Sequence, residues 1–133
     1  MSEQSSTELM EIYLGEVLSR RAFGRIPEIA ADDMIDHTQP SARGPAALDA
    51  HARGFCENIA DLEIEIVSIF GTPDTAVGIW RWRGHPRVPH GVSAKGSPVS
   101  PRLICSVFQV QDGKIRDYRA FVDAVDVLTQ FAG

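Results

Sequence analysis

The sequence predicts an α+β fold in which N-terminal helices cover one face of a curved antiparallel or mixed sheet and enclose a deep pocket. Three observations carry this expectation. Apolar residues recur at helical period up to about residue 58, the period then changes to two, and the alternating segments are joined by short turns rather than by crossover helices. Helices first and hairpin-joined strands afterwards argue against a wound parallel sheet. A sheet covered by three amphipathic helices that still leaves room for a cavity has to curve, so the expected shape is a cone. At 133 residues the chain reads as one domain, residues 1–133, with no tail or linker.

Ser5 and Glu8 have capping-box spacing, and Leu9, Ile12, Tyr13, Val17 and Leu18 follow on one face, which predicts a helix over residues 6–22. Gly24 stops it, and Pro27 suits the first turn of a short second helix through "IPEIAADD". "MIDHT" reads as a short extended segment and "QPSARG" as a turn. A third helix over residues 45–58 places Leu48, Ala52, Phe55 and Ile59 on one face, with Gly54 inside it suggesting close packing. "LEIEIVSIF" then alternates apolar and acidic residues, as a half-buried strand does. "TAVGIWRWRGH" is a second strand, joined to the first through "GTPD". The segment "HPRVPHGVSAKGSPVSP" is rich in proline and glycine and reads as an irregular loop. "RLICSVFQV" and "KIRDYRAFV" are two more strands across the tight "QDG" turn, and "AVDVLTQF" is a short last helix. No internal repeat is present.

The apolar share of 44% and charged share of 23%, with no long single-sign block, are those of an ordinary soluble globular chain rather than a disordered one. A net charge of −5 lacks the electrostatic footprint of a nucleic-acid or anionic-membrane binder and suits a neutral or cationic partner. With no basic-then-apolar leader and no run of 18 apolar residues, the expected setting is cytoplasmic, with no membrane span. Cys56 and Cys105 lack CxxC or Cys/His ligand spacing and read as two reduced, buried thiols. The four histidines form no metal motif. No nucleophile triad, P-loop or dinucleotide-binding glycine turn is present.

One acid stands out. Asp123 interrupts the apolar run "FVDAV", and a buried acid without a partner is costly. As a general base it would sit at a strand end facing the cavity, among apolar neighbours such as Phe121. As a structural residue it would cap the last helix, with Asp126 in the first turn. Both can hold together. By strand alternation Asp117 and Arg119 share a face with Asp123, and Tyr118 points the other way. The Asp117–Arg119 pair either binds a polar substrate group or is a solvated ion pair; facing the cavity, Arg119 would hold an enolate or carboxylate. Trp80 and Trp82 share one strand face, as core, as interface or as a stacking surface for a flat substrate, while Arg81 and Arg83 lie on the other, at the surface. His85, where the loop begins, is a candidate second acid or donor at the cavity mouth. His51 borders the apolar stripe of its helix and reads as structural, and His90 as a loop residue.

Two stretches, "IPEIAADDMIDHTQPSARGPAAL" and "VFQVQDGKIRDYRAFVDAVDVLTQFAG", carry a resemblance to the SnoaL-like polyketide cyclase group of the nuclear-transport-factor-2-like superfamily. The second is similar to the family's strand-turn-strand with Asp-Gly-Lys-Ile, an aspartate nine residues after the lysine, and a Leu-x-Gln-x-x-Gly ending. "RWRGHPRVPHGVSAKGSPVS" is similar to its Gly-x-His and glycine-rich loop. The resemblance implies helices and a curved sheet around a mostly apolar cavity, a homodimer, a small apolar or aromatic substrate, and catalysis without metal or organic cofactor. The implied reaction is an aldol ring closure in which a cavity aspartate, here Asp123, takes a proton from carbon. His37 matches a position near the pocket, where it would hydrogen-bond a carbonyl or be satisfied by backbone at a strand end. Gln109 and Arg119 stand where the family often has arginine and tryptophan. The expected catalytic residues are therefore Asp123, His37 and His85, and the expected substrate contacts are Arg119, Trp80, Trp82, Asp117, Gln109 and Phe121. A hydroxylase or hydrolyase, or a non-catalytic small-molecule binding module, is the alternative.

Overall fold

The computed structural model describes residues 5–39, 41–87 and 92–132. Helix α1, Ser6–Ile12, starts as its capping signal requires: Ser5 Oγ accepts the Glu8 N–H at 3.2 Å. The chain continues as a π-helical turn, Tyr13–Leu18, and leaves helical geometry there instead of at residue 22. The wider turn keeps Tyr13, Leu14, Val17 and Leu18 all buried.

Helix α2 is a single turn, Ile26–Ile29, with Pro27 in its first turn. The "AADD" that follows is strand rather than helix. It opens β1, Ala30–Asp36, because the segment pairs in parallel with the last strand, Ala30 beside Ile115 and Asp36 beside Tyr118. Asp32 and Asp33 are exposed on this edge strand, where charge discourages pairing with another chain. Helix α3, Gly44–Glu57, buries Ala47, Leu48, Ala52 and Cys56. A Cβ added at Gly54 would meet nothing within 4 Å, so the close packing expected there is replaced by open space.

Strands β2 (Ile59–Thr72), β3 (Thr75–Pro86), β4 (Ile104–Gln111) and β5 (Lys114–Val122) form an antiparallel meander. With β1 they make one open, mixed sheet in the order β1-β5-β4-β3-β2, and helix α4, Ala124–Ala132, closes the described chain. Register shifts in β2 and between β4 and β5 bend the sheet, as extra residues in one strand do. Its concave face packs on the helices through Trp80, Phe108, Ile115 and Tyr118. Tyr13 of the π-helical turn meets Phe108 and Tyr118 edge-on, at ring-centroid distances of 5.5 and 5.7 Å. Gly78 lets α1 approach β3, since a Cβ there would lie 2.7 Å from Met10 Sδ. Among the described residues no helix is long and apolar enough to cross a membrane.

Candidate active site

An apolar pocket of about 350 Å³ opens where α3, the sheet and α4 meet. Phe55 of α3, Trp82 of β3, Ile104 of β4, Val122 of β5, and Val127 and Phe131 of α4 line it. Trp82 faces inward because it is two residues on from Trp80 along the strand, and Phe55 meets it edge-on at 5.9 Å. The roof is α4 together with the segment before β4, which contributes Val99 and Pro101. Gln130 clamps the two: its Nε2 donates to Ser100 O at 2.6 Å, and its Oε1 accepts Ser100 N–H at 3.1 Å. Asp126 Oδ2 accepts Arg102 N–H at 2.9 Å. The expected tryptophan pair thus divides. Trp80 is core, its Nε1 donating to Ser106 Oγ at 3.0 Å, and Trp82 is pocket wall.

Asp123 is the cap of α4. Its Oδ1 accepts the Val125 and Asp126 N–H groups at 2.9 and 3.2 Å, and the residue is exposed. It does not line the apolar pocket: it sits in a separate depression of about 240 Å³ with Ile79, Cys105 and Phe121, on the outer side of the sheet, and Ile104 and Val122 line both. The other strand expectations meet a correction of face. Tyr118 is buried on the concave side, opposite Asp117 and Arg119 as alternation requires, which puts Arg119 and Phe121 on the outer face of the sheet rather than in the cavity. Gln109 lies on the outer face too, beside Asp117, and its Oε1 accepts from Thr75 Oγ1 at 3.2 Å. Asp117 does not pair with Arg119; its Oδ1 lies 2.9 Å from His37 Nε2, while the His37 N–H donates to Tyr118 O. His85 has an 83% exposed side chain beside Asp61, away from the pocket. Arg81 and Arg83 pair with Glu65 and Glu63 at the surface, as expected. His90 lies outside the described residues.

The structure assembles one group that the sequence reading did not. Asp36, at the inner end of β1, is 0% exposed and accepts four hydrogen bonds. Thr38 N–H and Oγ1 donate to its Oδ1 at 2.8 and 2.6 Å, and Gln39 Nε2 and His51 Nδ1 reach its Oδ2 at 2.8 and 3.0 Å. Burial alone would raise this carboxyl, but the bonds from His51, Thr38 and Gln39 outweigh it and hold Asp36 below the usual carboxylate range. The ionised Asp36 therefore fixes the proton of His51 on Nδ1. His51 lines a groove of about 310 Å³ with Gln39, Gly54, Phe55, Asn58 and Ile59. Phe55 is the wall common to this groove and the apolar pocket. Beside the pair, burial pushes the Tyr118 hydroxyl up to about 12 and Tyr13 well above its ordinary value, so both stay neutral. The turn part of this arrangement was legible, because an aspartate two residues before a threonine favours an Asx turn. The histidine came from a helix whose docking no local pattern specifies. Among the described residues no three His, Cys, Asp or Glu side chains gather as a metal ion would need.

An open, mixed sheet wrapped over N-terminal helices, with an apolar pocket under its last helix, defines an α+β protein of the nuclear-transport-factor-2-like fold. The sequence matches the profile of the SnoaL-like polyketide cyclase family over residues 8–131, and the chain belongs to that family. Solved structures share the fold at low identity. A SnoaL-like polyketide cyclase from Agrobacterium tumefaciens superposes with a TM-score of 0.77 at 17% identity, covering 97% of this chain and 99% of that one. TsrD from Streptomyces laurentii gives 0.72 at 16%, covering 99% and 98%. An LEH-like epoxide hydrolase from M. tuberculosis gives 0.66 at 18%, covering 95% and 88%. No curated protein sequence matches significantly.

Proposed function

We propose that the chain, as a single cytoplasmic domain over residues 1–133, is a cofactor-independent enzyme that binds an apolar, polycyclic, polyketide-like intermediate and closes a ring on it by an aldol-type reaction. The observation that carries this reading is the apolar pocket walled by Phe55 and Trp82 and lined by Val122, the residue that Asp123 directly follows in the chain. Asp123 takes a proton from the carbon next to a ketone, the resulting enolate carbon bonds to a second carbonyl carbon, and the alkoxide so formed takes up a proton. Both helix N–H bonds to Asp123 fall on Oδ1, which leaves Oδ2 for the transferred proton. The test is exchange of the acidic hydrogens of 2-tetralone, a flat bicyclic ketone, for deuterium in heavy water. The expected result is exchange above the buffer rate that falls about 100-fold in Asp123→Asn, the low end of what a positioned base contributes. Exchange at the buffer rate with the wild-type protein rejects the enzyme.

The cap role of Asp123 favours a second reading, a binding module that holds the same ligand without transforming it. Tetralone bound with measurable affinity but recovered without deuterium would establish that reading.

A homodimer is part of the proposal. On the outer face of the sheet Phe70 pairs with Val77 and Val77 with Val107, while Ile79 pairs with Cys105 and Cys105 with Phe121. Phe70 and Phe121 are 52% and 54% exposed, and apolar faces of this kind are normally covered. A second copy of the chain covers it in this reading. Sedimentation of the wild type as a dimer and of Phe121→Glu as a monomer is the expected outcome; a monomeric wild type at micromolar concentration removes the dimer.

A further inference from the structure

We propose that His51 is a second acid–base group of this protein, its Nε2 serving the oxygen of a ligand that reaches past Phe55, with the buried Asp36 as the residue that positions it. The inference rests on the proposed carbon-acid chemistry and adds the proton donor which that chemistry leaves open.

Four observations support it. The first is orientation: Nδ1 lies 3.0 Å from both Asp36 Oδ2 and Thr38 Oγ1. Thr38 Oγ1 gives its own proton to Asp36 Oδ1, so Nδ1 is the donor to both and Nε2 faces away from the pair. The second is access. Tyr13 Oη is the buried side-chain polar atom without a partner among the described residues; Nε2 of His51 also lacks one there but is not buried, so it opens into the groove its ring lines. The third is room, because Gly54, one helical turn further along α3, leaves open space where a side chain would stand. The fourth is continuity, since Phe55 separates this groove from the apolar pocket and lines both. The titratable groups facing the imidazole are Asp36 and Tyr118, whose ring lies 5.0 Å from it; Tyr13 lies next to Tyr118.

The proton balance is complete. Asp123 removes the proton from carbon, the C–H electrons form the enol C=C, and those of the neighbouring C=O move to its oxygen. That oxygen takes the Nε2 proton of the His51 imidazolium, whose charge the Asp36 carboxylate offsets. In the ring closure the enol carbon then bonds to the second carbonyl carbon, the alkoxide formed there takes the proton held by Asp123, and the enol oxygen returns its proton to His51. In heavy water the enol is instead reprotonated on carbon by Asp123 after its carboxyl has exchanged with solvent, which is the exchange that 2-tetralone reads. No external oxidant, reductant or co-reactant enters. The ligand class is a flat apolar ketone with its oxygen on the α3 side of the pocket.

The test combines two measurements on the intact protein. Ring nitrogen NMR of ¹⁵N-histidine-labelled protein reads the tautomer, and 2-tetralone exchange reads the chemistry. With the ring brought to its neutral form at high pH, we expect the Nδ1–H tautomer for His51 in the wild type and its loss in Asp36→Asn. Where the ring is protonated, we expect exchange about 100-fold slower in His51→Gln, which keeps an amide donor for Asp36 and melts as the wild type does. Gly54→Leu, which fills the groove without touching the pair, is expected to slow exchange while the tautomer stays. An Nε2–H tautomer in the wild type overturns the inference, as does exchange unaffected by His51→Gln. Loss of exchange in Asp123→Asn but not in His51→Gln rejects this inference alone; loss in His51→Gln but not in Asp123→Asn rejects the assigned base and keeps His51. A wild-type rate equal to buffer rejects both.

Discussion

Replacing Asp36 by alanine is expected to lower the unfolding free energy by about 3 kcal/mol, the lower end of what breaking a buried charged pair costs. The loss has a specific origin. The carboxylate satisfies two donors of Thr38 and one of Gln39, which hold the turn after β1, and one of His51, which fastens the end of β1 to α3. Thr38 is exposed and regains some of its bonding from water, which keeps the cost from the upper end. Urea unfolding measures it. The same carboxylate gives stability a dependence on acid. In the unfolded chain Asp36 takes up its proton near the ordinary ~3.9. In the folded protein it does so only at lower pH. Below that unfolded value the unfolded state binds the extra proton, so stability present at neutral pH is lost as pH falls, by up to ~1.4 kcal/mol per pH unit for this one group. Asp36→Asn is expected to flatten that part of the profile, and an unchanged acid slope would remove Asp36 as its source.

Trp82→Ala is expected to cost about 3 kcal/mol of stability and to weaken binding of 2-tetralone about 30-fold. Trp82 is 9% exposed, supports Phe55, and supplies the broadest flat wall of the pocket. One of its sides already faces open space, so fewer contacts are lost than for a residue packed all round. Calorimetric titration distinguishes this role from that of Trp80. Trp80→Phe leaves Ser106 Oγ without its donor in the core, which costs about 1–2 kcal/mol, and leaves the pocket wall in place.

Much of this architecture was legible where the signal was local. Ser5 announced the first helix, the "GTPD" and "QDG" turns announced the hairpins, and the alternation around Trp80 and Trp82 set which residues face inward. Asp123 between "FV" and "AVD" was legible as a cap for the same reason, because its partners are two and three residues away. What escaped were facts created by long-range pairing. "AADD" looks like the continuation of a helix until β5 is available to pair with it. Arg119 and Phe121 were placed in the cavity by carrying strand parity back from an Asp123 taken to face it; β5 keeps that parity to Val122, and Asp123 lies with Phe121, Ile79 and Cys105 in a depression outside the cavity. The Asp36–His51 pair joins a strand end to the middle of a helix, and nothing in either segment alone specifies their meeting.

The place of β5 in the sheet has a consequence for synthesis. It is the last strand to leave the ribosome, yet it lies between β1 and β4. The helices and the β2–β3–β4 meander can form as they emerge, but β1 has no neighbour until residues 114–122 arrive about 80 positions later. For that interval the nascent chain carries two bare strand edges and an uncovered Tyr118-sized gap between them, so this is the stage at which a chaperone, or a stalled neighbour, would meet it.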